Sequence, residues 1–364
     1  MRYWLPFAVA LALSLLLTPL AARLSPRWRL VAIPGGRRHH KGEVSKFGGL
    51  PLFAAFIVGA LLAYRLLPPP ATEAGLQEAR LLRGVLWGSV VMFFGGLIDD
   101  RWELPPWALF TLQFLAVAIA IYHKVFIQRF SVPGLADPVS IPMDDYLWAA
   151  LLVYLLTTVW IVGMINTINF LDGLDGLAAG VGLIAALLFA WHGYNLEQTT
   201  VAAFPLVLAG ALLGLLPFNF APARIFLGSA GAYFLGYGLA TMSILSPAKI
   251  ATALLVLAVP ILDVAWQIFD RLRRGQSPFR GDRGHLHFRL SDFGLPTRRI
   301  VLGYYAVALG FGLVAIFAPG AVAKAIALVL LSAAVLVIMW WLSRRRERPA
   351  RTSEFLERQP KSDV

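Results

Sequence analysis

Cysteine is absent from the 364 residues, which excludes disulfide staples, thiolate metal sites and a cysteine nucleophile. Charge is scarce as well. Only 14% of positions are Asp, Glu, Lys or Arg, against about 25% in an ordinary soluble domain, and 59% are hydrophobic. A soluble single core is therefore disfavoured. The 32 glycines and 23 prolines show no collagen-like period or low complexity and suit closely packed, kinked membrane helices. No G-x-x-x-x-G-K-[ST] loop occurs, so ATP-driven transport has no support.

What is present is a series of apolar runs close to the ~20 residues that a membrane-crossing helix needs. They lie at 3–22, 48–67, 80–98, 106–123, 145–164, 174–192, 199–217, 226–244, 249–268, 300–318 and 322–342. Eleven spans are thus expected, with 226–244, rich in Gly and Ala, ambiguous between a span and a re-entrant segment. The first run is as long as a span and is followed by Arg23, Arg27 and Arg29, which reads as an anchor with its N-terminus outside instead of a cleaved signal.

Alternation from that start puts 23–47, 99–105, 165–173, 218–225, 269–299 and the tail from 343 on the cytoplasmic side. These segments hold 24 of the 32 Lys and Arg residues. The net charge of +12 then marks topology and anionic lipid, and a nucleic-acid partner is not expected. The fold class expected is an all-α polytopic bundle of about 11 spans, C-terminus cytoplasmic. Residues 1–342 form one membrane domain and 343–364 a basic tail with too few apolar residues to pack.

Chemistry-bearing residues cluster on the cytoplasmic side. Asp99 and Asp100 end the third span, with Glu103 three residues on, and carboxylates at a membrane boundary are costly unless they meet cations. The segment from Asn166 to Gly180 places Asn166, Asn169, Asp172 and Asp175 at every third position. On a helical end this spacing stacks two amides and two carboxylates on one face. Such hard oxygens suit Mg²⁺, a metal commonly completed by substrate phosphates. Helix capping and glycine turns explain one or two of these residues, hardly four.

The loop 269–299 carries Arg271, Arg273, Arg274, Arg280, Arg283, His285, His287 and Arg289. The forked donors of Arg favour phosphate binding over a His metal pair, and a basic loop resting on anionic headgroups is the bland alternative. Arg37, Arg38, His39, His40 and Lys41 precede Gly48 and Gly49 and read equally as a topology anchor. Together the clusters describe a membrane site where carboxylates hold Mg²⁺ and Arg and His hold a multi-anionic phosphate ligand.

At these residues the chain resembles the polyprenyl-phosphate N-acetylhexosamine-1-phosphate transferase family, above all its bacterial undecaprenyl-phosphate N-acetylglucosamine-1-phosphate branch. The matching stretches are Arg37-Arg38-x-His40, Gly48-Gly49, Gly96 to Asp100, Asn166 to Gly180, Pro217 to Asn219, Pro260 to Asp263 and Arg283-x-His285-x-His287. The resemblance implies a helical bundle in the bacterial inner membrane. Its substrates would be a UDP-N-acetylhexosamine and undecaprenyl phosphate, its product UMP and a lipid-linked sugar diphosphate, with a homodimer as an allowed assembly.

Carried over, Asp99, Asp100, Asp172 and His285 are the catalytic candidates. Asn169 and Asp172 would hold Mg²⁺, with Mn²⁺ as a substitute. Gly173, Leu174, Asp175, Asn219 and Phe226 would line the uridine pocket, and Arg37, Arg38, His40, Arg283 and His287 would grip phosphate and sugar. Two departures stand out. The family motif Gly-Asp-x-Gly-Ser, whose Asp is a principal metal ligand, appears here as Gly228-Ser229-Ala230-Gly231-Ala232, and Phe288 replaces the last His of its loop motif. Ser229 therefore also allows a second reading, a non-catalytic membrane binding or scaffold protein. A secondary transporter is a third, resting on Asp263 as the one acid deep in an expected span.

Overall fold

The computed structural model describes residues 2–32, 44–130, 139–245, 247–276, 284–318 and 320–346. Arg37, Arg38, His40 and Arg283, together with the tail beyond 346, lie outside the described residues. The chain is helical almost throughout. In order the helices are α1 (Trp4–Leu24), α2 (Gly49–Leu66), α3 (Glu73–Trp102), α4 (Pro106–Tyr122), α5 (Leu147–Leu171), α6 (Leu177–Asn195) and α7 (Thr199–Asn219). They continue as α8 (Gly228–Ile244), α9 (Pro247–Val256), α10 (Ala258–Arg273), α11 (Leu286–Asp292), α12 (Thr297–Phe317) and α13 (Gly320–Arg346).

Each apolar run coincides with a helix except the ninth, which is two: α9 and α10 meet at a bend of 74° beside Leu257. Pro260, near the start of α10, lacks the N–H that would continue the α9 ladder. Among the described residues eight helices are long and apolar enough to cross a membrane, or nine if the bent pair is one span. This is fewer than the eleven expected from the sequence. The shortfall has a physical cause in α4 and α8, each 17 residues long, about 25 Å at 1.5 Å per residue. Nearly every residue of α8 from Ala230 to Ser243 is buried in protein. It therefore does not need the lipid-facing Leu and Ile of a peripheral span.

The bundle is built around that helix. α2, α3, α5 and α9 pack on α8, while α6 and α7 pair beside it and α1 closes on α7. Phe53, Phe56, Phe93 and Phe234 interlock α2, α3 and α8, with the Phe53 and Phe93 rings stacked 4.1 Å apart. Glycine sets the closest approach. A Cβ on Gly96 would stand 2.5 Å from both Ala230 Cα and Ser229 O, so α3 touches the start of α8 backbone to backbone. The outer surface instead carries exposed Trp4, Trp87, Trp107, Leu147, Trp148 and Trp191, the composition of a lipid-facing belt.

Candidate active site

Alternating helices return the ends of α3, α5 and α7 and the starts of α8 and α12 to one pole of the bundle. There they surround a cavity of about 490 Å³. Its lining includes Lys46, Asp99, Asp100, Glu103, Asn169, Asp172, Gly173, Leu174, Asp175, Asn219, Phe226, Gly228 and Ser229, with Phe288, Ser291 and Thr297 on the far wall. Five carboxylates thus face one lysine among the described lining residues. The excess negative charge calls for a cation.

Among these carboxylates, Asp99, Asp100 and Asp175 are held in place by neutral donors. Asp100 lies at the end of α3, and its Oδ1 and Oδ2 accept the backbone N–H groups of Ser229 and Ala230, each at 2.9 Å. These are orphan donors at the N-terminus of α8, where a negative charge also meets the positive end of the helix dipole. Asp99 Oδ1 accepts the Leu104 N–H at 2.9 Å, and its Oδ2 accepts the Tyr233 hydroxyl at 3.2 Å. Asp175 Oδ2 accepts the Ala223 N–H at 2.9 Å and ties the 172–176 turn to the α7–α8 connection.

Gly228 makes the crossing of these elements feasible. Its φ of +73° is a left-handed conformation, and a Cβ there would meet Lys46 O at 2.4 Å and Asp100 Oδ2 at 2.7 Å. Two residues before it, Phe226 is pinned through its main chain: the Phe226 N–H donates to Ser45 O, and the Gly48 N–H donates to Phe226 O. Those two bonds carry Phe226 into the wall and bring Lys46 beside it.

Asp172 caps α5 where that helix stops. Loss of water, then the Asp100 carboxylate, then the Asp175 carboxylate raise its carboxyl well above the ordinary range, and the Gly228 N–H opposes them. A bound cation would reverse that penalty. Among the described residues no three His, Asp or Glu side chains converge as a ready-made cage. Mg²⁺ needs none, because it binds through one or two carboxylates and keeps its waters and the substrate phosphates. Asp172 and Asn169, hard-oxygen donors on one turn, fit that requirement.

The expected single face of four polar residues is split. Asn169, Asp172 and Asp175 line the cavity. Asn166 turns away, its Nδ2 donating to Gln113 Oε1 on α4 at 2.8 Å. Its place one turn further up α5 faces a neighbouring helix. Gly173, Leu174, Asn219 and Phe226 are all in the lining, as expected.

His285 and His287 are not in the lining. They are 4% and 1% exposed and pack beneath the wall, with His287 Nε2 2.6 Å from where a Cβ on Gly173 would stand. Lys46, Phe288, Ser291 and Thr297 take cavity positions that no sequence argument assigned to the ligand. A lone Ser or Thr has no distinguishing pattern, whereas the three-residue spacing of Phe288 and Ser291 on α11 does put both on one face.

Residues 82–247 match the family model described as glycosyl transferase family 4. The chain is 32% identical over 322 residues to the probable undecaprenyl-phosphate N-acetylglucosaminyl 1-phosphate transferase of Bacillus subtilis (strain 168), covering 86% of this chain and 84% of that relative. The chain belongs to glycosyl transferase family 4. To the decaprenyl-phosphate N-acetylglucosaminephosphotransferase of Mycobacterium tuberculosis (strain ATCC 25618 / H37Rv) this family member is 34% identical over 326 residues, 82% of this chain and 77% of the other. The phospho-N-acetylmuramoyl-pentapeptide-transferase of Moorella thermoacetica (strain ATCC 39073 / JCM 9320) is 28% identical over 322 residues, 86% of this chain and 97% of the relative. In this family member, then, the acidic cavity belongs to a membrane-embedded transferase.

Proposed function

We propose that this transferase moves an N-acetylhexosamine-1-phosphate, foremost N-acetylglucosamine-1-phosphate, from its UDP-sugar to undecaprenyl phosphate or a similar polyprenyl phosphate, releasing UMP. The observation that carries the reading is the cavity itself: five carboxylates, two amides and a helix N-terminus gathered at one pole of an apolar bundle. A lipid-borne phosphate and a soluble nucleotide need such a meeting place at the membrane surface. The relatives' names speak of polyprenyl phosphates and N-acetylglucosamine, in keeping with it.

In this reading an oxygen of the lipid phosphate attacks the β-phosphorus of the UDP-sugar, the bond from that phosphorus to the bridging oxygen breaks, and UMP leaves with the electron pair. A phosphate monoester with its second pKa near 6 is already largely ionised at neutral pH, so no strong base is required. Asp99 and Asp100 orient the incoming phosphate and accept its residual proton. Asn169 and Asp172 would hold Mg²⁺ or Mn²⁺, an ion that would offset the repulsion between the two phosphates and polarise the phosphoryl group.

Leu174, Asp175, Asn219 and Phe226 receive the uridine, with Gly173 leaving room for it. Arg37, Arg38, His40 and Arg283 add cations for the diphosphate. Most of the rate comes from bringing two like-charged groups into line, a matter of positioning and charge. The Lys and Arg asymmetry of the sequence supports a cytoplasmic orientation of this pole, and the bacterial relatives a bacterial inner membrane.

The test is UMP release by the purified full-length protein given UDP-N-acetylglucosamine, undecaprenyl phosphate and Mg²⁺. Turnover that requires all three supports the reading. No UMP from UDP-N-acetylglucosamine, UDP-N-acetylgalactosamine or any other UDP-N-acetylhexosamine overturns it.

A further inference from the structure

α10 carries three buried polar side chains on one stripe, Asp263, Gln267 and Arg271, four residues apart and 3, 3 and 5% exposed. Ionisable groups sunk in a bundle wall are costly and persist where they are paired. The partner here is the segment that begins at Gly284. Asp263 Oδ2 lies 3.1 Å from His285 Nδ1, and Asp263 Oδ1 accepts the Leu286 N–H at 3.0 Å. One turn on, the Gln267 amide donates to Gly284 O, which also receives Arg289 Nε.

A carboxylate only accepts, so the hydrogen in the first of these bonds sits on His285 Nδ1. That bond fixes both the tautomer and the plane of the ring. The fixed ring is in turn a packing surface. It stacks on Phe170 at 4.9 Å, next to Asn169 on α5, and on His287 at 5.8 Å, whose own ring lies 4.2 Å from Phe288. Phe288 and Ser291 face the cavity three residues apart on α11. A chain of contacts thus runs from α10, through a histidine that does not reach the cavity, to two residues that do.

We propose that Asp263 is a positioning residue that acts through His285: it seats the 284–291 segment, with Phe288 and Ser291, against the turn that carries Asn169 and Asp172. His285 is then the rivet between two walls of the cavity. Asn at 263 keeps the size and the acceptor for Leu286 but turns an amide toward Nδ1–H, donor against donor, and the ring loses its fixed orientation. The inference rests on the transferase reading for one of its two measurements only.

The chain contains no cysteine, so Ser291→Cys gives the full-length protein a single thiol on the cavity wall. In that background the rate of maleimide labelling is compared for Asp263→Asn, His285→Gln and the double variant, all purified in detergent. Each single variant is expected to change the labelling rate at least fivefold in the same direction, with the double no further from the parent than the larger single. On the otherwise native chain, Asp263→Asn and His285→Gln should each lower kcat/KM for the UDP-sugar at least tenfold, again without multiplying.

Native labelling in Asp263→Asn overturns the proposal, as do single effects that multiply in the double variant. If Asp263→Asn does not yield folded protein, Asp263→Glu carries the test: it keeps the acceptor, so labelling and turnover between the parental and His285→Gln values are expected, and a departure larger than that of His285→Gln overturns the proposal. An absence of turnover in the native protein defeats the transferase reading and leaves the labelling result to judge Asp263.

Discussion

Asp100, on α3, accepts the backbone N–H of Ser229 at 2.9 Å, a bond across 129 positions of sequence that fixes the acidic pole to the start of α8. With the Ala230 N–H on its other oxygen, this carboxylate satisfies two donors that a buried helix start would otherwise leave unpaired. Asp100→Asn removes the charge from the helix dipole and replaces one acceptor with a donor. UMP release by the variant measures the consequence for catalysis. Turnover should fall by about two orders of magnitude or more if the same charge orders the phosphates.

The position beside it gives an opposite experiment. Ser229, the position at which the resemblance leads one to expect Asp, lines the cavity. Ser229→Asp adds a sixth carboxylate to the cavity lining that already holds Asp172. Mn²⁺ binding, followed by the loss of the free-ion EPR signal, should tighten about tenfold, equal to 1.4 kcal/mol. Equal or weaker Mn²⁺ binding would mean that the metal is held away from residue 229.

Asp172 provides a pH test in the metal-free protein. Its carboxyl is raised by burial first and by Asp100 and Asp175 next, so the folded state binds a proton more tightly than the unfolded chain does. Stability from this group is therefore fully present below the unfolded pKa and is lost as pH rises through the higher folded value. In chelator, the melting temperature should drop with rising pH across that interval. Asp172→Asn should flatten the drop and, at neutral pH, raise the melting temperature by roughly 2 °C or more. Added Mg²⁺ should give the native protein the same relief and leave the variant largely unchanged.

Gly228 tests the geometry without touching a charge. Ala at this position forces a left-handed φ on a residue with a Cβ and drives that atom toward Lys46 O and Asp100 Oδ2. A cost of about 1–3 kcal/mol is expected from the backbone alone. Turnover should fall more than a hundredfold, because relief requires moving Asp100 off the α8 start. Thermal melting and UMP release on the same preparation separate the two effects.

Much of this arrangement is legible in the sequence, and the exceptions have reasons. Apolar run length places the helices because lipid and buried protein alike demand satisfied backbones, and that demand is local. The break at Leu257 is hidden by continuous hydrophobicity on both sides, with only Pro260 to mark it. Asn169, Asp172 and Asp175 are readable as a set through their spacing. Asn166 shares that spacing but answers to Gln113 on another helix, a contact that no local pattern encodes. The resemblance makes His285 a catalytic candidate, yet Asp263, 22 positions earlier, draws it into the bundle wall. Spacing reveals which residues share a face and stays silent on what that face meets.

The close seam at Gly96 has a bearing on the lipid surroundings. α3 and α8 meet there without side chains between them, so main-chain contact, together with the Asp100 carboxylate bonds, sets the separation of the acidic residues from the α8 start. α13 buries few of its residues against the rest of the protein and has little to hold it upright. In bilayers of differing thickness the periphery can tilt to absorb the mismatch, while the reaction chamber keeps its dimensions.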